Sequence, residues 1–565
     1  MKRIVRLATE VSQKIAAGEV IERAFSVVKE LVENSLDAQA AEIKVKLLQG
    51  GKKLIQVTDD GYGMSREDAL LCFERHSTSK ISGEGDLNRI STLGFRGEAL
   101  PSISAVSHVK VKTSESKEKK GTQVERKGEE LLDVSDTAYP QGSSVEVRDL
   151  FFNIPARRKF LRTDKSELSQ IVKYLSTVAL AYPEVSFSLH HGKREVFHYP
   201  SVQSIKERIY QIYGKNLLKK LIEINYEEEP RKLYGFISRP PEGRKDRSHQ
   251  MFFINQRPVK DRILQGALNQ AYKRFLEKNY FAEAFLFLSL PSSEVDINVH
   301  PAKAEVRFKD SRSLFRFIYR CLDQALLKEM GMKEVYVASS DEEVPGEVKE
   351  GTQFPVFQRS EKEGEEEERV VPSSEKEPPH PFVLGQFLDS YIVASDEEGL
   401  LIVDQHNAHE RVLYEKYQQI DRERKWPRKL ALLPALLELT PAQQISFEEN
   451  KPLLERTGFG VETMGGRSYA LKEFPDIFSA GEAKEVFLSL LEEVKEEKFE
   501  QKKEALIATL ACKTAVKVGE KLSFKKMTYL VEELFKTSNP SLCPHGRPVI
   551  VRISRKEIEK GLRRD

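Results

Sequence analysis

The segment SVVKELVENSLDA (26–38) decides the fold of the N-terminal region. Its apolar residues recur at helical spacing and predict an amphipathic helix; they are Val28, Leu31, Val32 and Leu36. Polar residues at i, i+3, i+4 and i+7 share the opposite face; they are Glu30, Glu33, Asn34 and Asp37. On spacing alone, a solvated polar face is the more ordinary interpretation of this side.

The next signal is a predicted strand, LIQVT (54–58), that runs into the turn DDGYGM (59–64). A strand before it, IKVKLL (43–48), is predicted to pair with it around a Gly-Gly turn. An Asp before Gly-x-Gly can point a carboxylate into a cleft, while the glycines let backbone approach a ligand closely. An ordinary turn would look the same, so this motif is weak by itself.

A third segment, TLGFRGEAL (92–100), places Gly94 and Gly97 on either side of Arg96, just before a predicted helix. Glycine-rich backbone at the start of a helix offers N–H groups to phosphate oxygens. In this order, the three segments are far more specific than any one of them.

Together they resemble the ATP-binding (GHKL) fold shared by gyrase B subunits, Hsp90, histidine kinases and MutL proteins. The amino-acid sequence is most similar to that of the MutL family of DNA mismatch repair ATPases. The stretches that carry this resemblance are IAAGEVIER (15–23), KELVENSLDA (29–38), HSTSKI (76–81), LGFRGEALPSIS (93–104), FFNIPARRKFLR (151–162), FFINQRPVKDRIL (252–264) and INVHPAKAEVRF (297–308). The resemblance covers most of the chain outside one acidic segment.

The resemblance implies an ATP site with Mg²⁺ as cofactor. Glu30 would be the general base for the attacking water, and Asn34 would hold Mg²⁺ against the phosphates. Asp59 would accept the adenine amino proton. The remaining implied contacts are the base pocket (Gly61, Gly63, Thr122), a lid over 73–97 with phosphate contacts (Gly94, Arg96, Gly97), and a γ-phosphate contact from the second subdomain (Lys303). Lys303 could instead be a surface lysine.

A second group of residues follows the predicted strand GLLIV (399–403). His406 and Glu410 are i, i+4 on a predicted helix, a spacing that suits a shared metal ion, although a solvated pair is an equal alternative. Cys512 lies on another predicted helix, and Cys543 and His545 are two apart before a strand. Such an N/S/O ligand set is typical of Zn²⁺, but Cys512 could be only a buried structural residue.

These segments resemble the endonuclease motifs of DNA-nicking MutL proteins. DQHNAHERVLYE (404–415) has Asn407 where that pattern has Ala, and ACK (511–513) has Lys where it has Arg, whereas CPHGRP (543–548) is intact. The resemblance implies Zn²⁺ and/or Mn²⁺ at this site, with Asp404 and Glu410 as catalytic residues and His406, Glu410, Cys512, Cys543 and His545 as metal ligands. Asp404 could instead be only the N-cap of its helix.

Basic residues cluster in two places, and a solvated charged face is the usual explanation for such runs. The first run contains Arg157, Arg158, Lys159 and Arg162; the second contains Lys260, Arg262, Lys273 and Arg274. Because MutL proteins bind DNA between their N-terminal domains, we expect sequence-independent phosphate contact here, steeply dependent on salt.

The composition marks one boundary. Residues 339–381 hold 13 acidic residues against 5 basic ones, a local net charge of −8 in a chain whose total is +2. Such a segment cannot bury enough apolar surface to order itself. We predict an α+β multidomain chain: a GHKL-type ATPase α/β sandwich (1–204), a transducer α/β domain of ribosomal-protein-S5-like type (205–332), a flexible acidic linker (333–380) and an α+β dimerisation and endonuclease domain (381–565) with a regulatory lobe near 435–504.

Four cysteines in 565 residues cannot form a disulfide framework, and no signal peptide or membrane-spanning segment is apparent. The expectation is a cytoplasmic, nucleoid-associated protein without membrane partners. The resemblance implies a homodimer that couples mismatch recognition by MutS to strand nicking. The sliding clamp is a weaker expectation, because KLALLP (429–434) lacks the Gln of the clamp-binding motif.

Two other functions compete with this prediction. One is a matchmaker that lacks nuclease activity and uses ATP only to relay signals between repair proteins. The other is a topoisomerase or chaperone built on the same ATPase fold, against which HPAKAEVRF (300–308) and CPHGRP (543–548) argue.

Overall fold

The computed structural model describes residues 21–80, 92–94, 97–115, 120–244, 246–276, 280–296, 306–331, 381–423, 426–493, 499–517 and 519–562. The chain divides into two compact units. One comprises Met1–Met332 with Ile420–Thr509, and the other comprises Lys333–Gln419 with Leu510–Asp565. Among the described helices, none is both long and apolar enough to cross a bilayer.

The first unit is built on an eight-stranded mixed sheet of order β5-β4-β3-β6-β2-β1-β7-β8. Its strands are β1 (Glu42–Leu48), β2 (Leu54–Asp59), β3 (His108–Ser114), β4 (Lys120–Lys127), β5 (Glu130–Ala138), β6 (Gly142–Arg148), β7 (Ser186–His191) and β8 (Arg194–Tyr199). The helices of this region are α1 (Ala24–Asp37), α2 (Arg66–Leu71), α3 (Ala99–Ala105), α4 (Pro155–Lys159) and α5 (Asp164–Ala181), with a 3-10 turn at Gln49–Gly51.

Alternation along the strands places one face of this sheet against the helices. In β1, Val45 and Leu47 are buried while the lysines between and beside them are exposed. Helix α1 buries its apolar stripe, including Val28 and Leu31, in the same core. The predicted pairing of 43–48 with 54–58 is confirmed as an antiparallel ladder with Val45 opposite Val57.

A second, five-stranded sheet follows, of order β12-β11-β13-β10-β9. Its strands are β9 (Leu221–Glu228), β10 (Arg231–Ser238), β11 (Gln250–Ile254), β12 (Arg257–Val259) and β13 (Ala284–Ser289). The helices of this region are α6 (Ile205–Leu218), α7 (Arg262–Tyr272) and α8 (Ser311–Glu329), with a 3-10 turn at Ser292–Glu294. The short strands β14 (Val295–Asp296) and β15 (Arg307–Phe308) pair in a separate two-stranded sheet. Helices α7 and α8 share its apolar core, in which Leu268 and Ile318 are fully buried.

The remaining part of the first unit is a three-stranded sheet of order β19-β21-β20 with its helices. It comprises β19 (Arg428–Glu438), α10 (Pro441–Arg456), β20 (Gly460–Gly465), β21 (Ser468–Pro475) and α11 (Ala480–Glu493). These residues, predicted as a lobe of the C-terminal domain, group with the first compact unit.

The second unit contains a four-stranded antiparallel sheet of order β16-β17-β18-β22. Its strands are β16 (Phe382–Phe387), β17 (Tyr391–Asp396), β18 (Gly399–Asp404) and β22 (Ile550–Ser554). Its helices are α9 (Gln405–Arg422), α12 (Phe499–Thr514), α13 (Phe524–Phe535) and α14 (Arg555–Gly561). The last residues of α9 and the first residues of α12 are assigned to the first unit. Leu401, Val403 and Val531 are fully buried in its core. The mixed and antiparallel sheets of both units confirm the predicted α+β class.

Candidate nucleotide and metal sites

The predicted adenine-binding carboxylate, Asp59, stands at the end of β2. Its Oδ2 accepts a hydrogen bond from Ser35 Oγ on α1 at 2.8 Å. Its Oδ1 accepts backbone N–H groups of Gly61 at 3.1 Å and Ser143 at 3.3 Å. Burial raises the pKa of Asp59, and these three donors partly offset that effect. The result is a half-buried carboxylate held in orientation by a helix, the following turn and the neighbouring strand β6.

The two glycines after Asp59 are required by close backbone contacts. A Cβ at Gly61 would lie 2.6 Å from the carbonyl oxygen of Ala38. Gly63 has a φ of +73°, and a Cβ there would lie 1.9 Å from the carbonyl oxygen of Ser114. Thr122 is buried on β4 opposite Thr113, whose Oγ1 accepts the N–H of Met64 at 2.9 Å. The structure therefore brings the predicted base-pocket residues to one end of the sheet.

The residues predicted to contact the phosphates lie on α1 and on the described segments before and after residues 81–91. Glu30 and Asn34 occupy successive turns of α1 and are half-buried. Gly97 has a φ of +62°, and its carbonyl accepts the N–H of His76 at 3.2 Å, which joins the segments around residues 76 and 97. Of the other predicted contacts, Gly94 lies beside Asn34, whereas Arg96 and Lys303 fall outside the described residues.

Sequence reasoning missed Ser35, Thr113 and Ser143, which hold the Asp59 turn. Ser35 follows Asn34 directly, but a serine within a helix gives no signal of its partner. Thr113 and Ser143 come from neighbouring strands, and their proximity depends on the register in which Thr113 faces Ser143.

In the second unit, four of the predicted ligands surround the fifth, the carboxylate of Glu410. The potential ligand atoms of His406, Glu410 and Cys512 lie within 4.8 Å of one another, as do those of Glu410, Cys543 and His545. Among the described residues, Glu410 Oε1 is buried without a hydrogen bond of normal geometry, although His545 Nδ1 lies 2.7 Å away. A buried, incompletely satisfied carboxylate beside two thiols and two imidazoles fits a Zn²⁺ site.

Hydrogen bonds outside this cluster orient its side chains. His406 Nδ1 lies 2.8 Å from the carbonyl oxygen of Val516 and can donate to it, which leaves Nε2 for a metal. The N–H of Gly546 donates to the carbonyl of Cys543 at 2.9 Å, and Gly546 has a φ of +79°. This tight turn presents Cys543 and His545 to the same carboxylate.

The pKa values in this cluster follow from burial and mutual contact. Burial opposes ionisation of Glu410, but His545, Cys543 and Cys512 outweigh it and lower the pKa of that carboxyl. Burial, and then the charge of Glu410, raise the pKa of the Cys512 thiol to about 11. A bound cation would reverse the preference of the thiols, because metal coordination deprotonates them.

Asp404, predicted as catalytic, belongs to neither group of ligand atoms. Its Oδ1 accepts the N–H of Asn407 at 2.9 Å, the arrangement of a helix N-cap. Asn407, which stands where the family pattern has Ala, is buried and donates from Nδ2 to the carbonyl oxygen of Pro548 at 3.0 Å. It thereby ties α9 to the turn that carries Cys543.

The predicted DNA contacts differ in availability. Arg158, Lys159, Arg162 and Arg262 are exposed, whereas Arg157 is half-buried and donates to the carbonyl oxygen of Ile21 at 3.3 Å. Arg274 forms an ion pair with Asp323 and lies over the ring of Phe275. Arg274 is therefore already engaged within its own domain.

Three family models match the chain. A model described as "Histidine kinase-, DNA gyrase B-, and HSP90-like ATPase" matches residues 22–141, which contain Glu30, Asn34 and the Asp59 turn. One described as "DNA mismatch repair protein, C-terminal domain" matches residues 209–327. A third, "MutL C terminal dimerisation domain", matches residues 384–522 and supports a homodimer. These matches confirm the predicted GHKL ATPase fold followed by a C-terminal dimerisation domain.

Relatives match over the full length. DNA mismatch repair protein MutL of Koribacter versatilis is 36% identical over 646 aligned positions, and that of Caldanaerobacter subterraneus subsp. tengcongensis is 36% identical over 590, with 100% of both chains covered in each comparison. A solved structure, the Aquifex aeolicus MutL ATPase domain complexed with ADP, is 32% identical over 48% of this chain and 93% of that one, with a TM-score of 0.36. Identity over the whole length carries the assignment: the chain belongs to the MutL family of DNA mismatch repair proteins.

Proposed function

We propose that this chain hydrolyses ATP at the α1 site and nicks DNA at the Glu410 cluster, as a homodimer acting in mismatch repair. The ATP part rests on the Asp59 carboxylate, which Ser35 of α1 holds in place, and on Glu30 and Asn34, which lie one turn apart on the same helix. Asp59 would accept the adenine amino proton, and Asn34 would hold Mg²⁺, which neutralises phosphate oxygens when bound. The match of residues 22–141 to the ATPase family model supports a nucleotide at this position.

In hydrolysis, Glu30 would take a proton from a water as the water oxygen bonds to the γ-phosphorus. The bond from that phosphorus to the β,γ-bridging oxygen breaks, and ADP and phosphate leave. We expect Glu30→Gln to bind ATP but to lose hydrolysis by at least about a hundredfold, the usual contribution of a general base. Glu33→Gln, one turn away on the same helix, is the matched control. Equal loss in both variants would remove Glu30 from this role.

The nuclease part is supported by one observation, the four potential metal-binding side chains that converge on the carboxylate of Glu410. His406, Glu410, Cys512, Cys543 and His545 would hold Zn²⁺ and/or Mn²⁺, which activates water and stabilises the displaced oxygen of a phosphodiester when bound. Glu410 would position the metal and accept the proton of the attacking water. Asp404, at the N-terminus of the same helix, would act from just outside the ligand set.

Nicking of supercoiled plasmid with Mn²⁺ tests this assignment. We expect the wild type to convert plasmid to the open-circular form, EDTA to stop it, and His545→Ala and Asp404→Asn to reduce it strongly. Cys72→Ser, which removes a thiol outside the cluster, should nick like the wild type. If the wild type loads metal but does not nick, the nuclease proposal fails.

One observation favours the second candidate, a nuclease-inactive matchmaker. Asp404 is engaged as a helix cap and is not among the clustered ligand atoms. In that case the metal cluster would be purely structural, and metal removal would lower the unfolding temperature of the second unit without affecting any DNA cleavage.

DNA, MutS and the sliding clamp are the partners that we propose from the repair role. DNA phosphates would meet the exposed cations Arg158, Lys159 and Arg262. For the clamp, Leu432 and Leu433 on β19 are almost fully exposed, but Lys429 stands at the start of the stretch and pairs with Asp476 at 3.4 Å. Pull-down with purified clamp, comparing wild type with Leu432→Ser, tests whether the apolar residues suffice without the Gln.

A further inference from the structure

Gln405, the first residue of α9, directly precedes the proposed metal ligand His406 and has no part in the proposals above. Its side chain is fully buried. Its Nε2 lies within hydrogen-bonding distance of three backbone carbonyl oxygens, those of Asp389 at 2.9 Å, Lys517 at 2.9 Å and Glu520 at 3.0 Å. An amide has two N–H donors, so two of these oxygens share one donor. Gln405 therefore ties the start of α9 to the segment 516–522, which follows α12.

A second glutamine, Gln386 of β16, extends this network. Its Nε2 donates to Gln405 Oε1 at 2.6 Å, and its Oε1 accepts the N–H of Leu522 at 3.0 Å. Ser390 adds a further bond, because its Oγ accepts the N–H of Gly519 at 3.1 Å. The segment 516–522 is thus held through its backbone by side chains that come from three other parts of the second unit.

The same segment orients a proposed metal ligand. The carbonyl oxygen of Val516 lies 2.8 Å from His406 Nδ1, and the N–H of Val516 donates to His409 Nδ1 at 3.0 Å. A proton on His406 Nδ1 leaves Nε2 free to bind a metal. Because Val516 is bonded to Lys517, whose carbonyl accepts from Gln405, the position of the Val516 carbonyl depends on that glutamine.

We propose that Gln405 is a positioning residue of the metal cluster, which acts by holding the segment 516–522 against His406. The proposal rests on the metal site proposed above, but it does not depend on the nicking of DNA. Both polar atoms of the Gln405 side chain are engaged in the network, so its effect on a metal passes through His406. Groups that orient a metal-bound imidazole typically change metal affinity by about tenfold to a hundredfold.

A purely structural glutamine would make a different prediction. It would stabilise the second unit as a whole, so its loss would weaken metal binding to the same extent whether or not His406 is present. A positioning residue instead loses its effect on metal affinity once His406 has been removed. A double-mutant cycle separates the two cases.

The test measures the Zn²⁺ affinity of the full-length protein by competition with a chromophoric chelator. The proteins compared are the wild type, Gln405→Met, His406→Ala and the double variant. Methionine is similar in length to glutamine but has no N–H donor. We expect Gln405→Met to weaken Zn²⁺ binding about tenfold, and less than about twofold when His406→Ala is already present. Unchanged affinity in Gln405→Met, or an equal loss in both backgrounds, would overturn the positioning role.

Ser390→Ala is a milder variant that keeps the test decisive if Gln405→Met folds poorly, because it removes only the bond to the Gly519 N–H. It should weaken Zn²⁺ binding less than Gln405→Met does, and only when His406 is present. An equal effect without His406 would contradict the proposal.

Gln443→Met is the matched control, because Gln443 is also a buried glutamine near the start of a helix but lies on α10 in the first unit. It should leave Zn²⁺ affinity unchanged, and a loss equal to that of Gln405→Met would contradict the proposal. If the wild type binds no Zn²⁺, the proposed metal site fails and this proposal fails with it. If the wild type binds Zn²⁺ without nicking DNA, only the nuclease proposal fails.

Discussion

At the scale of the residue, Asp59 is a half-buried carboxylate whose ionisation opposes stability. Its raised pKa means that the folded state favours the protonated acid more than the unfolded chain does. As pH rises above the ordinary value of 3.8 through the folded pKa, ionisation therefore lowers the free energy of unfolding. At neutral pH, the folded protein carries this cost, and the anionic acceptor that it keeps is the group proposed to bind adenine.

We therefore expect Asp59→Asn to separate binding from stability. The amide oxygen can still accept the N–H groups of Gly61 and Ser143, and the amide nitrogen can donate to Ser35. The amide nitrogen cannot accept the adenine amino proton. Nucleotide titration should show binding reduced by at least about tenfold, while the unfolding temperature at pH 7 stays equal or rises. A marked fall in unfolding temperature would show that the carboxylate is needed for folding.

At the scale of elements, the turn after β2 depends on backbone contact rather than on side chains. We expect Gly63→Ala to destabilise the first unit by more than the roughly 1–2 kcal/mol that left-handed backbone alone costs a residue with a Cβ. The excess arises because the new Cβ would meet the Ser114 carbonyl oxygen at 1.9 Å. Thermal unfolding and nucleotide binding should both be impaired.

Gly192 provides the control for this prediction. It has a φ of +64°, close to that of Gly63, but a Cβ there would meet nothing within 4 Å. Gly192→Ala therefore carries the backbone strain without the clash. If the two variants unfold at the same temperature, the close approach to Ser114 contributes nothing measurable.

The elements that can be predicted from sequence are those with local patterns. The strands at 43–48 and 54–58 alternate, and the helix from 262 has its N-cap Asp261 directly before it. The parallel pairing of β1 with β7 joins residue 42 to residue 186. No local pattern encodes that contact. The same limit explains why Ser143 escapes prediction as a partner of Asp59.

The metal cluster illustrates both sides of this limit. The proximity of His406 and Glu410 can be predicted from helical spacing. The proximity of Cys543 and His545 can be predicted because they are two residues apart in a short turn. That Glu410 meets His406 and Cys512 on one side and Cys543 and His545 on the other depends on contacts distant in sequence, which only the fold supplies. The resemblance implies that Asp404 is catalytic. In the structure, its Oδ1 accepts the N–H of Asn407, as the side chain of a helix N-cap does.

At the scale of the whole molecule, the net charge of +2 is close to zero, but positive and negative charges are unevenly distributed along the chain. The acidic segment leaves the rest of the chain basic, so DNA contact should depend on local cations and respond strongly to salt. We expect the double variant Arg158→Ala, Lys159→Ala to weaken binding to duplex DNA. The slope of log affinity against log salt should fall by about one for each phosphate that the variant no longer neutralises.

Titration of DNA at several salt concentrations measures that slope. The control variant Lys525→Ala, Lys526→Ala removes the same charge from exposed positions on α13 of the second unit. An equal change of slope in both double variants would show that total charge, rather than the 157–162 run, governs the binding of DNA.

Helix α1 makes contacts that depend on its rotational phase. Ser35 donates to Asp59, Asp37 accepts the N–H of Leu93, and Glu30 and Asn34 are the residues proposed to act at the phosphates. At about 1.5 Å of rise per residue, the seven steps from Glu30 to Asp37 cover about 10 Å along the axis. Inserting one residue within this interval would turn every later side chain by about 100°, so the length and rotational phase of this helix tolerate far less change than its surface composition.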